Sequence, residues 1–483
     1  MARLTVAPGA VIDGLKVGEC VHRGGMATLW SVTRPDVDLP LLMKIPRVSE
    51  GEDPAAIVSF EMEQMILPRL SGPHVPACFG AGDFARQAYV VIERIPGSTL
   101  YSRLGDLPLP YEEAGGIAQK IALALADLHR QNVIHHDIKP SSVMFRASGE
   151  AVLIDFGLSH HNQLPDLLQE EFRLPYGTAP YMAPERLLGV RDDPRSDLFS
   201  LGVLLYFFTT GARPFGESET MPGMRRRLWR DPVPPRKLRA DYPAWLQEVV
   251  LRCLEIEPVW RHPTASQLAF ELGNPDQIKL TARSERVRRD PISTVLRRRF
   301  NRGLTQPNPK SDLAAQMASA PIVAVALEIA EETDALNGAL RVTAQRILAT
   351  LPSARLACIN VLKLGRITID RTLDEKGNNK HIDRLVALRH WAQPLKLDES
   401  RLSVHVLEAV DPASAILEFA KANHVDHIVI GARQNSLARA LLGSVSAKVA
   451  AEAACTVTVV RPPRLAALQG QSSANEKAEE VKA

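Results

Sequence analysis

At 483 residues the chain is long enough for two or three domains, and 45% hydrophobic with 23% charged residues is the balance of ordinary globular protein with sizeable cores. A formal net charge of +3 is small for this length and implies neither a nucleic-acid nor a membrane partner, so any basic surface is local. The five cysteines (Cys20, Cys78, Cys253, Cys358, Cys455) are odd in number and form no CxxC pair, which argues against a disulfide framework or a zinc site and for a reducing compartment.

The first nine residues lack the apolar core of a signal peptide. Residues 11–92 read as short apolar runs broken by Gly, Pro and Asp, with one helical stretch at 56–70: a small sheet with one helix. Ala114, Ile117, Ala118, Ile121, Leu125 and Leu128 form a helical stripe, and helix signals return from 195 to 272. A mostly β lobe therefore precedes a mostly α lobe. The most apolar stretch, 198–210, is too short to span a bilayer and reads as a buried helix, so both termini are expected in the cytoplasm.

Between 279 and 302 nine basic residues (Lys279, Arg283, Arg286, Arg288, Arg289, Arg297, Arg298, Arg299, Arg302) face only Glu285 and Asp290. This stretch reads as a solvated linker with helical pieces; docking on an acidic surface or on the preceding domain is the alternative. A turn-rich break at 306–310 favours a boundary near 305–320. Apolar runs at 322–327, 356–362, 427–430 and 456–460 then alternate with helical stripes at 336–351, 413–423 and 445–454, the pattern of a parallel sheet covered on both faces. The tail, 465–483, reads as disordered.

The chemistry concentrates in His135-His136-Asp137-Ile138-Lys139-Pro140, followed eighteen positions after Asp137 by Asp155-Phe156-Gly157 and then by Ala183-Pro184-Glu185. A carboxylate able to accept a hydroxyl proton, an ammonium able to neutralise a moving phosphoryl group and a second carboxylate able to hold Mg²⁺ occur in the order phosphoryl transfer needs. With these motifs residues 10–272 resemble the eukaryotic-type serine/threonine protein kinases of bacteria.

The resemblance implies a bilobal kinase fold and gives each motif a role. Gly24 and Gly25 would lie in the hairpin over the ATP phosphates, although His22 and Ala27 stand where further glycines are usual. Lys44 would reach the α and β phosphates, aimed by Glu63, which shares a helix face with Leu67 and Leu70. Glu93 to Ile95 would hold adenine through their backbone, with Ile92 as gatekeeper. Asp137 would be the base, Lys139 the neutralising cation and Asp155 the Mg²⁺ ligand. Glu185 and Arg261 would form a buried ion pair, and Asp197 would hold the catalytic loop from below. Thr178, after Gly177, and Lys139 point to serine/threonine specificity.

Two positions depart from the pattern. His136 replaces the Arg that usually receives an activation-loop phosphate, and it could do so only when protonated. Residues 160–176 contain no Ser or Thr but include Asp166, Glu170 and Glu171, so the fold is expected to be set without loop phosphorylation. Ser142 replaces the Asn that binds a second Mg²⁺; it is a shorter, neutral ligand, so weaker metal binding and slower transfer are expected.

The loop 431–446, leading to Cys455 and Arg461-Pro462, makes residues 320–462 resemble the universal stress protein family. There Gly431, Gly443 and Ser444 would form a phosphate-cradling loop, but Gln434 occupies the second glycine position and Ala326 the place of a usual Asp, so a regulating or dimerising role through the last strand is favoured over nucleotide binding.

The expectation is thus a multidomain α+β and α/β protein: a kinase catalytic domain (10–275), a basic linker (276–319), a Rossmann-like parallel α/β module (320–462) and a tail (463–483). ATP with Mg²⁺, or Mn²⁺ in its place, would be the cofactors and proteins the substrates, the chain itself included, with a homodimer through the second module, no nucleic acid and no membrane span. A nucleotide-binding pseudokinase scaffold is the main rival, a small-molecule kinase the second.

Overall fold

Strict alternation puts Met43 and Lys44 on opposite faces of the strand that organises the first lobe. That strand, β4 (Val37–Pro46), lies inside a six-stranded antiparallel sheet of order β1-β2-β3-β4-β6-β5, with β1 Val11–Ile12, β2 Leu15–Arg23, β3 Ala27–Arg34, β5 Cys78–Gly82 and β6 Tyr89–Glu93. Val17, Val32, Leu41, Met43 and Val91 form the core of one face. Against the sheet packs the helix Pro54–Ile66, extended by a 3-10 turn over Leu67–Arg69. The computed structural model describes residues 6–47, 54–172, 176–217, 220–300, 321–329, 334–364, 379–432 and 444–461. It divides into two units, Met1–Met317 and Ala318–Ala483.

The second lobe is helical. Ala114, Ala118, Ile121, Leu125 and Leu128 of Tyr111–Arg130 are all buried, as the stripe predicts. Arg195–Thr210 is buried on nearly every side, which is why its sequence lacks a polar face. It packs on Ala244–Cys253, and at Gly202 an added Cβ would stand 2.5 Å from the Cβ of Cys253, so no larger residue fits that crossing. Short strands at the lobe junction, β7 (Val133–Ile134) with β10 (His160–His161) and β8 (Val143–Phe145) with β9 (Ala151–Leu153), carry the loops that matter for chemistry.

Residues 281–290 of the basic stretch are docked on the helical lobe, the alternative to a solvated linker, whereas the helix Ile292–Phe300 that follows buries no residue. Gln247 Nε2 donates to the carbonyls of Arg283, Ser284 and Arg286 (2.7, 3.1 and 2.9 Å), and the Glu248 carboxylate accepts from the amides of Thr281 and Ser284. Arg283 pairs with Glu255 at 2.7 Å, Arg286 with Asp231 at 2.7 Å and Arg298 with Asp231 and Asp290. Residues 301–319 of the expected linker lie outside the described residues.

In the second unit five parallel strands run in the order β13-β12-β11-β14-β15: β11 Ile322–Ala326, β12 Arg355–Lys363, β13 Leu402–Ala409, β14 His427–Gly431, β15 Thr456–Val460. Helices Pro412–Ala422 and Ser444–Glu452 cover one face, against Ala324, Ile359, Ile428 and Ile430; Asp334–Thr350 and Lys380–Ala392 pack on the strands as well. Strand β13 and helix Lys380–Ala392 are absent from the sequence reading. Ser403 and His405 are buried in β13 and break its apolar signal; His405 hydrogen-bonds Ser403 Oγ at 2.9 Å. The tail, 463–483, lies outside the described residues.

Because Gln247 is fully buried and serves three carbonyls, Gln247→Ala is expected to destabilise the first unit by about 3 kcal/mol in urea titrations and to speed amide exchange selectively over 281–290. Unchanged exchange there would mean the stretch is not anchored by this residue.

Candidate active site

Three separate elements meet at the Lys44 ammonium. From the inward face of β4 it lies 2.6 Å from Glu63 Oε2 and 2.9 Å from Asp155 Oδ1. Glu63 is buried on the helix that packs on the sheet. Asp155 follows β9 at φ +72°, a left-handed conformation rare outside glycine. Burial works against the Lys44 charge, but Asp155 and Glu63 outweigh it and hold its pKa above the ordinary lysine value. The Lys44 charge in turn lowers Asp155 to about 2, so this carboxylate is ionised at any working pH, and half of its side chain (51%) stays exposed.

Asp137, Lys139 and Thr178 form a second cluster. Lys139 Nζ is 2.5 Å from Asp137 Oδ2 and 3.0 Å from Thr178 Oγ1. The Thr178 hydroxyl donates to Asp137 Oδ1 at 2.7 Å and its amide donates to the same atom at 3.3 Å. Beneath them the buried Asp197 carboxylate accepts from the amides of His135 (2.9 Å) and His136 (2.8 Å) and from His129 Nε2 (2.9 Å). His135 ties this loop to the neighbouring strand, its Nε2–H donating to the Ile154 carbonyl at 3.2 Å while Nδ1 accepts from the Asp137 amide. Glu185 and Arg261 form a bidentate buried pair at 2.6 and 2.7 Å.

Gly24 and Gly25 form the turn between β2 and β3, with the Gly24 amide donating to the Ala27 carbonyl at 2.9 Å. Neither glycine has positive φ, and nothing in the chain lies within 4 Å of a Cβ built on Gly25. The amides of Glu93 and Arg94 are spent within the lobe, on the carbonyls of Ala77 and Pro40. The Glu93 side chain pairs with Arg146, an anchor the motif reading did not include. Ser142 is fully buried, and its hydroxyl accepts from the Lys139 amide (3.0 Å) and faces the carbonyls of Asp137 (2.8 Å) and Lys139 (3.0 Å), so it braces its own loop.

His136 is buried in the loop that carries Asp137. Burial, reinforced by Arg186, Arg191 and His160, pushes its pKa well below the ordinary imidazole value, and the neutral ring donates Nε2–H to the Arg191 carbonyl at 2.8 Å. Arg186, Arg191, His160 and Asp166, grouped around it, carry no motif signal.

A family model described as the protein kinase domain matches residues 16–270. The chain belongs to the protein kinase family. A second model, the universal stress protein family, matches residues 321–461. Among curated relatives, a probable serine/threonine-protein kinase of Clostridium perfringens (strain 13 / Type A) is 27% identical over 278 residues, 57% of this chain and 38% of that protein. The serine/threonine-protein kinase PknB of Mycobacterium leprae (strain TN) is 28% identical over 270 residues, 55% of this chain and 43% of that protein. This kinase-family chain thus spans less than half the length of these two relatives. Its similarity to the crystal structure of the Mycobacterium tuberculosis PknI kinase domain is 22% in sequence with a TM-score of 0.45, covering 56% of this chain and 100% of that one.

In the universal stress unit Gly431 ends β14 and Ser444 opens the helix Ser444–Glu452, whereas Gly443 and Gln434 lie outside the described residues. A cleft of about 750 Å³ opens elsewhere in this unit, among Leu327, Asn337, Arg341 and Trp391.

The neutral His136 has a consequence for folding. Below the ordinary histidine pKa of about 6.5 the unfolded chain binds a proton that folded His136 refuses, so stability falls as pH falls. Urea titrations between pH 6.5 and 5 should therefore show a shallower slope for His136→Gln than for the wild type, by up to about 1.4 kcal/mol per pH unit. Parallel slopes would mean the folded ring takes up its proton normally.

Proposed function

We propose that this chain transfers the γ-phosphoryl group of ATP to serine and threonine hydroxyls of proteins, its own included. The observation that carries the reading is the convergence of the Lys44–Glu63–Asp155 and Asp137–Lys139–Thr178 clusters from loops and strands far apart in sequence. Asp137 orients the acceptor hydroxyl and takes its proton, Lys139 neutralises the phosphoryl oxygens and Lys44 orients the α and β phosphates. The Glu93 carbonyl and the Ile95 amide are the backbone groups assigned to adenine. Thr178, bound to both Asp137 and Lys139, shapes the place where a serine or threonine side chain enters.

Among the described residues no group of three or more His, Cys, Asp and Glu side chains could hold a metal by itself. A half-exposed, ionised Asp155 next to a phosphate cleft suits a hard cation shared with the nucleotide, Mg²⁺ or Mn²⁺, rather than a protein-only cage. When bound, the metal nucleotide supplies the phosphoryl group and neutralises its charge. Ser142 joins the metal only by giving up its bonds to the loop backbone. The universal stress unit is assigned a regulatory or dimerising role through the edge strand β15, and the five free cysteines support a reducing, cytoplasmic setting.

Purified chain with labelled ATP, Mg²⁺ and a generic basic protein should transfer label, and Asp137→Ala should lower the rate about 10²–10⁴-fold while nucleotide binding persists. Nucleotide binding without transfer in the wild type would turn the reading to a pseudokinase scaffold. In the same assay Ser142→Asn should lower the Mg²⁺ concentration giving half-maximal rate by a factor of about 3 to 10, near 1 kcal/mol; an unchanged metal dependence would remove position 142 from the metal site.

A further inference from the structure

The segment between Asp155 and Glu185 carries an internal anion in a built receptor. Asp166 and Arg191 each expose only 8% of their side chains, and Arg191 Nε stands 2.5 Å from Asp166 Oδ2. The same carboxylate oxygen lies 3.0 Å from His160 Nδ1. Arg191 Nη2 donates to the carbonyls of Leu158 (2.9 Å) and Ser159 (3.5 Å), immediately beyond Asp155-Phe156-Gly157. The Arg191 carbonyl accepts from His136, the neighbour of Asp137. One arginine thus connects the loop anion, the stretch that follows Asp155 and the catalytic loop.

We infer that Asp166, held by Arg191, is the fixed anchor that sets the activation segment in its productive position, doing with a carboxylate what a loop phosphate and a catalytic-loop arginine would otherwise do. The inference rests on the kinase reading above and names the residues that make a phosphate unnecessary. Three observations support it. The receptor arginine follows Glu185 by six positions instead of preceding Asp137. His136 leaves the charged role to it. Burial opposes ionisation of Asp166, yet Arg191 and His160 hold its carboxyl well below the usual carboxylate range, so the anion is permanent. Asp166 and Arg191 are positioning residues, acting through the segment and the loop that touch substrate.

Asp166 also caps the helix Leu167–Glu171, Oδ1 accepting from the Gln169 amide at 3.2 Å. Asparagine caps equally well and has the same shape, so Asp166→Asn removes the charge and keeps the cap. In the full chain Asp166→Asn and Arg191→Gln should each lower kcat about 10- to 100-fold with the ATP dissociation constant unchanged, Asp166→Glu should recover most of the rate, and the double variant should be no slower than either single one. Amide exchange over 158–172 should quicken in the Asn and Gln variants; in the Glu variant, which cannot cap the helix Leu167–Glu171, it should stay slow over 158–165.

Wild-type kcat in Asp166→Asn, rate losses that multiply in the double variant, or unchanged exchange over 158–172 would each overturn the anchor. If the wild type transfers no phosphate, the kinase reading falls by itself. The exchange comparison still decides whether Asp166 and Arg191 hold the segment.

Discussion

The Lys44 ammonium is the joint on which the catalytic geometry depends. It is largely buried between a carboxylate of the small lobe's helix and a carboxylate of the helical lobe's loop, so both lobes pay electrostatically for any separation. Removing Glu63 would leave a largely buried ammonium short of its buried partner, at a cost of about 3–5 kcal/mol, whereas water screens the half-exposed Asp155 and makes that side of the joint weaker. The joint therefore fixes more than one side chain: it sets the helix angle, the lobe closure and the direction in which Asp155 presents its exposed oxygen.

Below that joint the loop bearing Asp137 is positioned by internal hydrogen bonds. Asp197 takes the amides of both His135 and His136, and His135 reaches across to the Ile154 carbonyl, while the Ile154 amide donates to the Ser142 carbonyl. The loop bearing Asp137 and the strand bearing Asp155 are consequently braced against each other through backbone atoms. Displacing either carboxylate requires unmaking buried hydrogen bonds, each of which leaves an unsatisfied polar group.

What was legible in the sequence was whatever repeats a period or fills a motif. Within the kinase resemblance, the face shared by Glu63, Leu67 and Leu70 pointed to Glu63 as the Lys44 partner, although Glu61 is buried as well. The apolar runs of β11, β12, β14 and β15 announced a parallel sheet. Strand β13 stayed hidden because Ser403 and His405 satisfy each other inside the sheet, so a buried position carries polar letters. The basic stretch looked solvated because Asp231, Glu248 and Glu255, which neutralise Arg283, Arg286 and Arg298, precede it by tens of residues, and charge pairing at that range leaves no local pattern. Arg191 was illegible for the same reason.

The two departures inside the catalytic loop share one physical logic. Ser142 is too short to serve the loop backbone and reach outward at once, and in this structure it serves the backbone. His136 is too deeply buried beside Arg186 and Arg191 to carry charge, so it becomes a neutral donor to the Arg191 carbonyl. In both cases the side chain present is spent on hydrogen bonds that shape the loop. A loop can hold its shape on such residues because shape requires only satisfied backbone groups, whereas ionic function can be supplied from elsewhere in the fold. Arg191, placed after Glu185 yet touching the residues after Asp155, shows how far along the chain that supply can lie.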